Sequence, residues 1–206
     1  DKKSRQMLRR GKEINPDSIL VVIGCYAQVA KEKLEQIPEI DLILGNNEKN
    51  DIVTYIQQAM NNSYISQVSE VSDQKEFLDF GNVTYTEKTR AVIKVQDGCN
   101  QFCSYCIIPY ARGRIRSRKP ASVIQEITAI RQKGIKEVVI TGIHIASYGK
   151  TEDQSKYRLI DLLEEIQKID GIERIRLGSL EPTLITEEFV QRLSKVSSLH
   201  FLVAAF

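Results

Sequence analysis

The chain reads as an α/β protein, a series of strand–helix units with parallel strands. Three observations predict this. Strand-type segments recur at Ile19–Ile23, Ile40–Leu44, Ala91–Val95, Glu137–Ile140 and Arg174–Leu177, the first three as apolar runs. Glycine follows each of them closely, at Gly24, Gly45, Gly98, Gly142 and Gly178. Stretches with apolar residues at helical spacing lie between most of these runs, and strand alternating with helix favours a parallel sheet. With 206 residues, 42% hydrophobic and 27% charged, the chain can bury the core of one large domain or two small ones.

The elements follow in order. Residues 4–11 are basic and helical in pattern, up to Gly11. Ile19–Ile23 predicts a strand, Ala27–Ile37 a helix stopped by Pro38, Ile40–Leu44 a second strand and Asp51–Met60 a helix. Two strands are too few for an independent sheet. From Asn61 to Thr89 the chain is polar, without a long periodic element, and reads as an interdomain connection. The strand–helix rhythm then resumes. Strand Ala91–Val95 leads to a cysteine-rich loop and to helix Ser122–Lys133, closed by Gly134. Strand Glu137–Ile140 leads to Thr141-Gly142, then helix Leu159–Ile169. Strand Arg174–Leu177 leads to Gly178-Ser179, then helix Thr186–Lys195, with Thr186 as N-cap and Glu187 and Glu188 in its first turn. A fourth strand begins near Leu199. The unusual residues sit in loops that follow strands, where (β/α) barrels carry their chemistry.

Composition narrows the function classes. Lys and Arg total 29 and Asp and Glu 27, so the mean field commits the chain to no polyanion, and a nucleic-acid site must be a local patch. No apolar run is long enough to span a membrane and no signal peptide opens the chain, which predicts a cytoplasmic location. In that compartment clustered cysteines bind metal more often than they pair. The chain starts at Asp1 without Met and stops inside the apolar run Leu199–Phe206, so a fragment cut at both ends is expected.

Three of the four cysteines fall in one eight-residue stretch, Cys99-Asn-Gln-Phe-Cys103-Ser-Tyr-Cys106. Three thiolates on a turn leaving a strand can converge on one metal and leave a further coordination position open, the mark of a catalytic rather than a structural centre. A structural zinc site completed by His144 is the alternative. Zinc motifs usually bring two separated cysteine pairs, whereas soft thiolates packed this closely suit an iron–sulfur cluster.

The spacing of these cysteines, with aromatic Tyr105 before the last, resembles the signature of radical S-adenosylmethionine (SAM) enzymes. The wider string from Lys94 to Gly113 resembles their methylthiotransferase branch, in particular its MtaB-type subgroup, which modifies threonylcarbamoyladenosine in tRNA. Val138-Val-Ile-Thr-Gly-Ile-His144 and Arg176-Leu-Gly-Ser-Leu-Glu-Pro182 fit the same subgroup, and the likeness fades only after His200, with Leu202–Phe206 divergent. The resemblance implies the C-terminal part of an N-terminal methylthiotransferase domain over residues 1–62, a linker over 63–89 and the first half of a radical SAM partial barrel over 90–206.

It also implies roles. Cys99, Cys103 and Cys106 would ligate a 4Fe–4S cluster whose fourth iron binds SAM, and SAM cleavage would yield a 5′-deoxyadenosyl radical. Tyr105 would lie beside the adenine, or simply anchor the loop. Thr141 and Gly142 would meet the methionyl amino group, although a glycine after a strand is often only a turn. Glu181 would bind SAM or substrate, against the commoner outcome of a surface glutamate. Cys25 matches the last of three cysteines that hold an auxiliary 4Fe–4S cluster; its plain alternative is an inert core thiol. Arg112, Arg114, Arg116 and Arg118 fall on one side of an extended segment, and the first three are expected near the substrate, against a loop whose charges pair with nearby acids. Lys2, Lys3, Arg5, Arg9 and Arg10 read as a solvated helix face.

The activity so implied transfers a methylthio group to N6-threonylcarbamoyladenosine next to the tRNA anticodon, with tRNA and a low-potential electron donor as partners. Another modified adenosine, a ribosomal-protein side chain, or an inert metal- or RNA-binding module are the other readings.

Overall fold

The computed structural model describes residues 2–61, 64–81, 89–150 and 156–204. It divides into two compact units, residues 1–74 with 102–113, and residues 75–101 with 114–206.

In the first unit, β1 (Val21–Ile23), β2 (Leu42–Leu44) and β3 (Ile65–Gln67) form a parallel sheet in that order. Val22 and Ile43 join Ala27, Leu34 and Ile40 in a small core. Helix α1 (Lys2–Ile14) buries none of its residues, as its basic sequence predicts. The single helix expected over Ala27–Ile37 is instead two short ones, α2 (Cys25–Val29) and α3 (Lys31–Leu34), broken at Ala30, which leaves the helical region at φ −131°. Ala27 and Leu34 still both reach the core, which satisfies the apolar spacing that suggested one helix. The Asp41 side chain ties β2 back to α1, accepting from the Leu20 N–H at 2.7 Å and pairing with Lys12 at 2.8 Å. Burial alone would raise the Asp41 pKa, but these hydrogen bonds and the Lys12 charge outweigh it and hold the carboxyl below its ordinary range. Helix α4 (Ile52–Asn61) leads to β3. That third strand lies inside the polar stretch read as connection. At three residues, with Ser66 in the middle, it shows no hydrophobic alternation long enough to detect. Residues 62–63 and 82–88 of the stretch lie outside the described residues.

The second unit carries the larger sheet. Strands β4 (Arg90–Asp97), β6 (Glu137–Gly142), β7 (Arg174–Leu180) and β8 (Leu199–Ala204) run parallel, and the two-residue β5 (Arg116–Ser117) pairs antiparallel with the end of β4. Helices α6 (Pro120–Gln132), α7 (Leu159–Ile166) and α8 (Glu187–Leu193) separate the parallel strands. Ala91, Ile93 and Val95 of β4 are buried while Val92 is half exposed, so the strand's alternation sets which face meets the helices. Ile93, Ile127, Ile140, Leu163 and Ile175 belong to one continuous core. Burying each such side chain contributes roughly 1.5–3 kcal/mol. Thr186 caps α8 as its sequence predicts, accepting from the Phe189 N–H at 3.2 Å.

Strands β6 and β7 extend further than their apolar runs suggest: Thr141-Gly142 and Gly178–Leu180 are strand, not loop. The consequence is positional. In a parallel sheet the carboxyl ends of β4, β6 and β7 share one edge, and Cys99, His144 and Glu181 follow those three ends within two residues. The reading of Leu199 onward as a strand holds as far as Ala204; Ala205 and Phe206 lie outside the described residues.

Candidate metal and cofactor site

The base of the cysteine loop is set by two side chains at the end of β4. Gln96 is fully buried; its amide donates to the carbonyls of Asp97 (2.8 Å) and Gly98 (2.7 Å), and its Oε1 accepts the His144 N–H (2.7 Å). Asp97 accepts from the Gly98 N–H at 2.9 Å and pairs with Lys94 at 2.6 Å and with Arg116 at 3.7 Å. Gly98 takes φ +73°, a conformation that favours glycine, and turns the chain into Cys99.

Cys99 is buried, and the Gln101 N–H lies 3.4 Å from its Sγ. Cys106 is half-buried and Cys103 exposed; the Cys106 N–H donates to the Cys103 carbonyl at 2.9 Å. None of these cysteines is in a disulfide. Cys99 falls in the second unit, and Cys103 and Cys106 in the 102–113 segment of the first. Among the described residues no three Cys, His, Asp or Glu side chains stand close enough together to hold a metal. The donor chemistry nevertheless fits an iron–sulfur cluster: three thiols outside any disulfide on one short loop, one of them already facing a backbone N–H of the kind that stabilises cluster-bound sulfur. Zinc completed by His144 fits less well, because that imidazole is otherwise engaged.

His144 is buried, its Nδ1 2.5 Å from Ser147 Oγ and its Nε2 2.5 Å from Glu181 Oε2, with the Gln101 amide 3.4 Å from the same nitrogen. Glu181 is partly exposed. Gly142 pairs with Gln96 across the sheet, and a Cβ on it would lie 2.9 Å from the Gln96 Cβ. Gly142 is therefore required for close packing against Gln96, independently of any ligand. Thr141 is half-buried opposite Lys94. Tyr105 is 91% exposed, with no contact that would make it a structural anchor of the loop among the described residues.

The four arginines have different surroundings. Arg112, on helix α5 (Ile108–Arg112), donates from Nε to Cys25 Sγ at 2.9 Å within the first unit. Arg114 is exposed. Arg116 is buried against Asp97. Arg118 is buried between Glu126, which it pairs with closely, and Asp79 at 2.8 Å. Pairing with acids thus accounts for Arg116 and Arg118, because the segment turns from helix to strand and back within a few residues instead of running extended. Cys25 is the first residue of α2 and is half-buried; the Asn46 amide lies 3.8 Å from its Sγ and also donates to the Ala111 carbonyl.

Sequence reading missed Gln96 altogether and considered His144 only as a zinc ligand. The signal for Gln96 was available: a glutamine extending the apolar run Ala91–Val95, directly before Asp97-Gly98. For the His144–Glu181 pair no sequence signal existed, since the partners are 37 positions apart and meet only through strand order.

Comparison with known proteins agrees with this geometry. The Radical SAM superfamily profile matches residues 93–205, and that of Uncharacterized protein family UPF0004 matches residues 1–45. The chain is 39% identical, over 95% of its length, to the threonylcarbamoyladenosine tRNA methylthiotransferase MtaB of Bacillus subtilis, and 38% identical over 93% to that of Aquifex aeolicus. It is 39% identical over 92% to the tRNA-2-methylthio-N(6)-dimethylallyladenosine synthase of Desulforamulus reducens. It spans 43%, 46% and 41% of those three proteins, less than half of each. Among solved structures, the radical SAM methyltransferase TsrM of Kitasatospora setae superposes with a TM-score of 0.58 over 96% of this chain and 43% of that one, at 16% identity, a likeness of fold. The superfamily profile covers more than half of the 206 residues and includes the whole cysteine loop, and the chain therefore belongs to the radical SAM superfamily.

Proposed function

We propose that this chain forms part of a tRNA methylthiotransferase that modifies N6-threonylcarbamoyladenosine next to the anticodon. The observation that carries the reading is the loop Cys99–Cys106, three thiols outside any disulfide after β4 in a superfamily whose cofactors are a 4Fe–4S cluster and SAM. Cys99, Cys103 and Cys106 are the residues to hold that cluster, with Tyr105, Thr141, Gly142 and Glu181 on the SAM side. When bound, the cluster supplies the electron that cleaves SAM. The chain's own contribution is positional. Gln96 and Asp97 fix the base of the loop.

Residues 1–62 are proposed as the end of a methylthiotransferase domain and 90–206 as part of the radical SAM core; of the 63–89 stretch expected as a linker, β3 (Ile65–Gln67) belongs to the first unit's sheet. Cys25 is proposed as a ligand of a second cluster, with Arg112 beside its sulfur rather than at the substrate. Arg114 remains the proposed phosphate contact of the basic run. The location proposed is the cytoplasm, in keeping with a tRNA substrate, and no described helix is long and apolar enough to cross a membrane. The substrate assignment rests on relatives named for threonylcarbamoyladenosine; relatives named for dimethylallyladenosine favour a second adenosine as the other candidate.

The test is nucleoside mass spectrometry after incubating the anaerobically reconstituted chain with SAM, a low-potential reductant and tRNA bearing either modified adenosine. Methylthio product on the threonylcarbamoyl base alone supports the reading. Product only on the dimethylallyl base selects the second. SAM cleavage without product on either, or no cleavage at all, contradicts the proposed transfer for this chain.

A further inference from the structure

Three neighbouring parallel strands end at one edge of the second unit, and one histidine links the segments that leave all three. The His144 N–H is held by Gln96, which also grips the two carbonyls ahead of Cys99. Its Nδ1 meets Ser147 Oγ, and its Nε2 meets Glu181 Oε2 at 2.5 Å. An ionised carboxylate can only accept, so Nε2 carries the proton toward Glu181, and the Ser147 hydroxyl satisfies the other nitrogen. The residue is 7% exposed and its ring is held at both nitrogens, by Ser147 and by Glu181, so the ring is fixed in place and in tautomer. Glu181, by contrast, is partly open to solvent at the strand edge, and its second oxygen, Oε1, has no partner among the described residues.

We infer that His144 is a positioning residue: it orients the Glu181 carboxylate so that Oε1 is presented to an N–H or ammonium donor of a molecule bound at the carboxyl ends of β4, β6 and β7. A glutamate on its own would keep its rotamer freedom and its hydration. One oxygen pinned to a buried, proton-bearing imidazole leaves the other directed and pre-organised. The inference rests on the proposed function for the location of the ligand, but the histidine–carboxylate contact itself does not. Two sources of the donor are compatible with it, the SAM ammonium and an N–H of the modified base.

The chain has two histidines, His144 and His200, so the ring nitrogens of His144 can be assigned in a 15N-histidine NMR spectrum by comparison with His200→Gln. The expected result is an Nε2–H tautomer whose signals move in Glu181→Gln. Ring signals indifferent to Glu181→Gln overturn the inference. In the reconstituted chain, SAM affinity is read from the SAM-induced change in the cluster's EPR spectrum, and RNA affinity from titration with an anticodon stem–loop. His144→Ala should weaken one of the two by about tenfold, the worth of a hydrogen bond to a charged group, with iron content unchanged. His144→Gln, which keeps an N–H near the Nε2 position, should restore it, and His144→Ala with Glu181→Gln together should lose no more than Glu181→Gln alone. A SAM-only effect identifies the ammonium, and an RNA-only effect the base. Equal affinities in every variant overturn the inference. Failure of the cluster to form while the ring signals still respond to Glu181→Gln removes the proposed function and leaves the contact standing.

Discussion

Gln96, Gly142 and Arg118 show how much of the site is decided by single buried side chains. Gln96 has no solvent contact; its amide nitrogen is spent on two carbonyls at the base of the cysteine loop and its amide oxygen on the His144 N–H after β6. Gly142 leaves the space that Gln96 occupies. Gly142→Ala should therefore cost about 1–3 kcal/mol in urea unfolding, because the added Cβ would lie 2.9 Å from the Gln96 Cβ. Arg118 sits between Glu126 and Asp79, with the Ser122 hydroxyl donating to the same Asp79 oxygen. Arg118→Leu leaves Glu126 buried without its cation and should cost roughly 3–5 kcal/mol by the same measurement, whereas replacing Arg118 and Glu126 together by apolar residues should cost much less. At this scale the sequence was informative where chemistry is local. The cysteine spacing, Gly98 before Cys99 and Thr186 as N-cap are all visible in a few consecutive letters. It was uninformative for Arg118, which resembles its neighbours Arg114 and Arg116 in sequence and differs from Arg114 only in what surrounds it after folding.

Elements were legible in proportion to their length and regularity. The five predicted strand segments became strands, and α6 follows its predicted span within two residues at its start. The misread segments were those where local pattern and tertiary contact disagree: α2 and α3 divide at Ala30 yet bury the same residues one helix would, and β3 is stabilised by pairing with β2 rather than by any pattern of its own. Strand ends extended past the apolar runs because Thr141, Gly142 and Gly178 pair or pack across the sheet, which composition does not show. The entrance of β6 carries a testable electrostatic cluster. Glu137 faces Arg174 on the adjacent strand at 2.9 Å and lies 2.6 Å from Arg176. Burial pushes the Glu137 carboxyl up, but the hydrogen bond from Arg174 and the charges of both arginines hold it below the ordinary glutamate range. A depressed folded-state pKa means the pair stabilises the fold above the unfolded value, near pH 4.5, and that this stability drains away as pH falls through the folded value. Urea unfolding from pH 7 down to pH 3 should show the decline, and Glu137→Gln should flatten it.

For the molecule as a whole, the α/β class was legible from the rhythm of strand, helix and glycine, and the superfamily from the cysteine loop. The division of the chain was less so, because residues 102–113 group with the first unit although they follow Cys99 directly in sequence. That grouping has physical causes in the first unit itself: the Asn46 amide on the Ala111 carbonyl, Arg112 on Cys25, and the edge-to-face contact of Phe102 with Tyr110 at 5.6 Å. None of these pairs except the last lies within one stretch of sequence. Everything proposed about function depends on Cys99, Cys103 and Cys106 taking up one open-site iron–sulfur cluster. The most direct measurement is anaerobic reconstitution, with iron and sulfide quantified and the EPR spectrum of the reduced protein recorded with and without SAM. The account predicts about four irons for this loop's cluster, a spectrum that changes on SAM addition, and loss of both in Cys103→Ala. Stoichiometric zinc, with no iron uptake and no response to SAM, would contradict it and leave a structural metal module in its place.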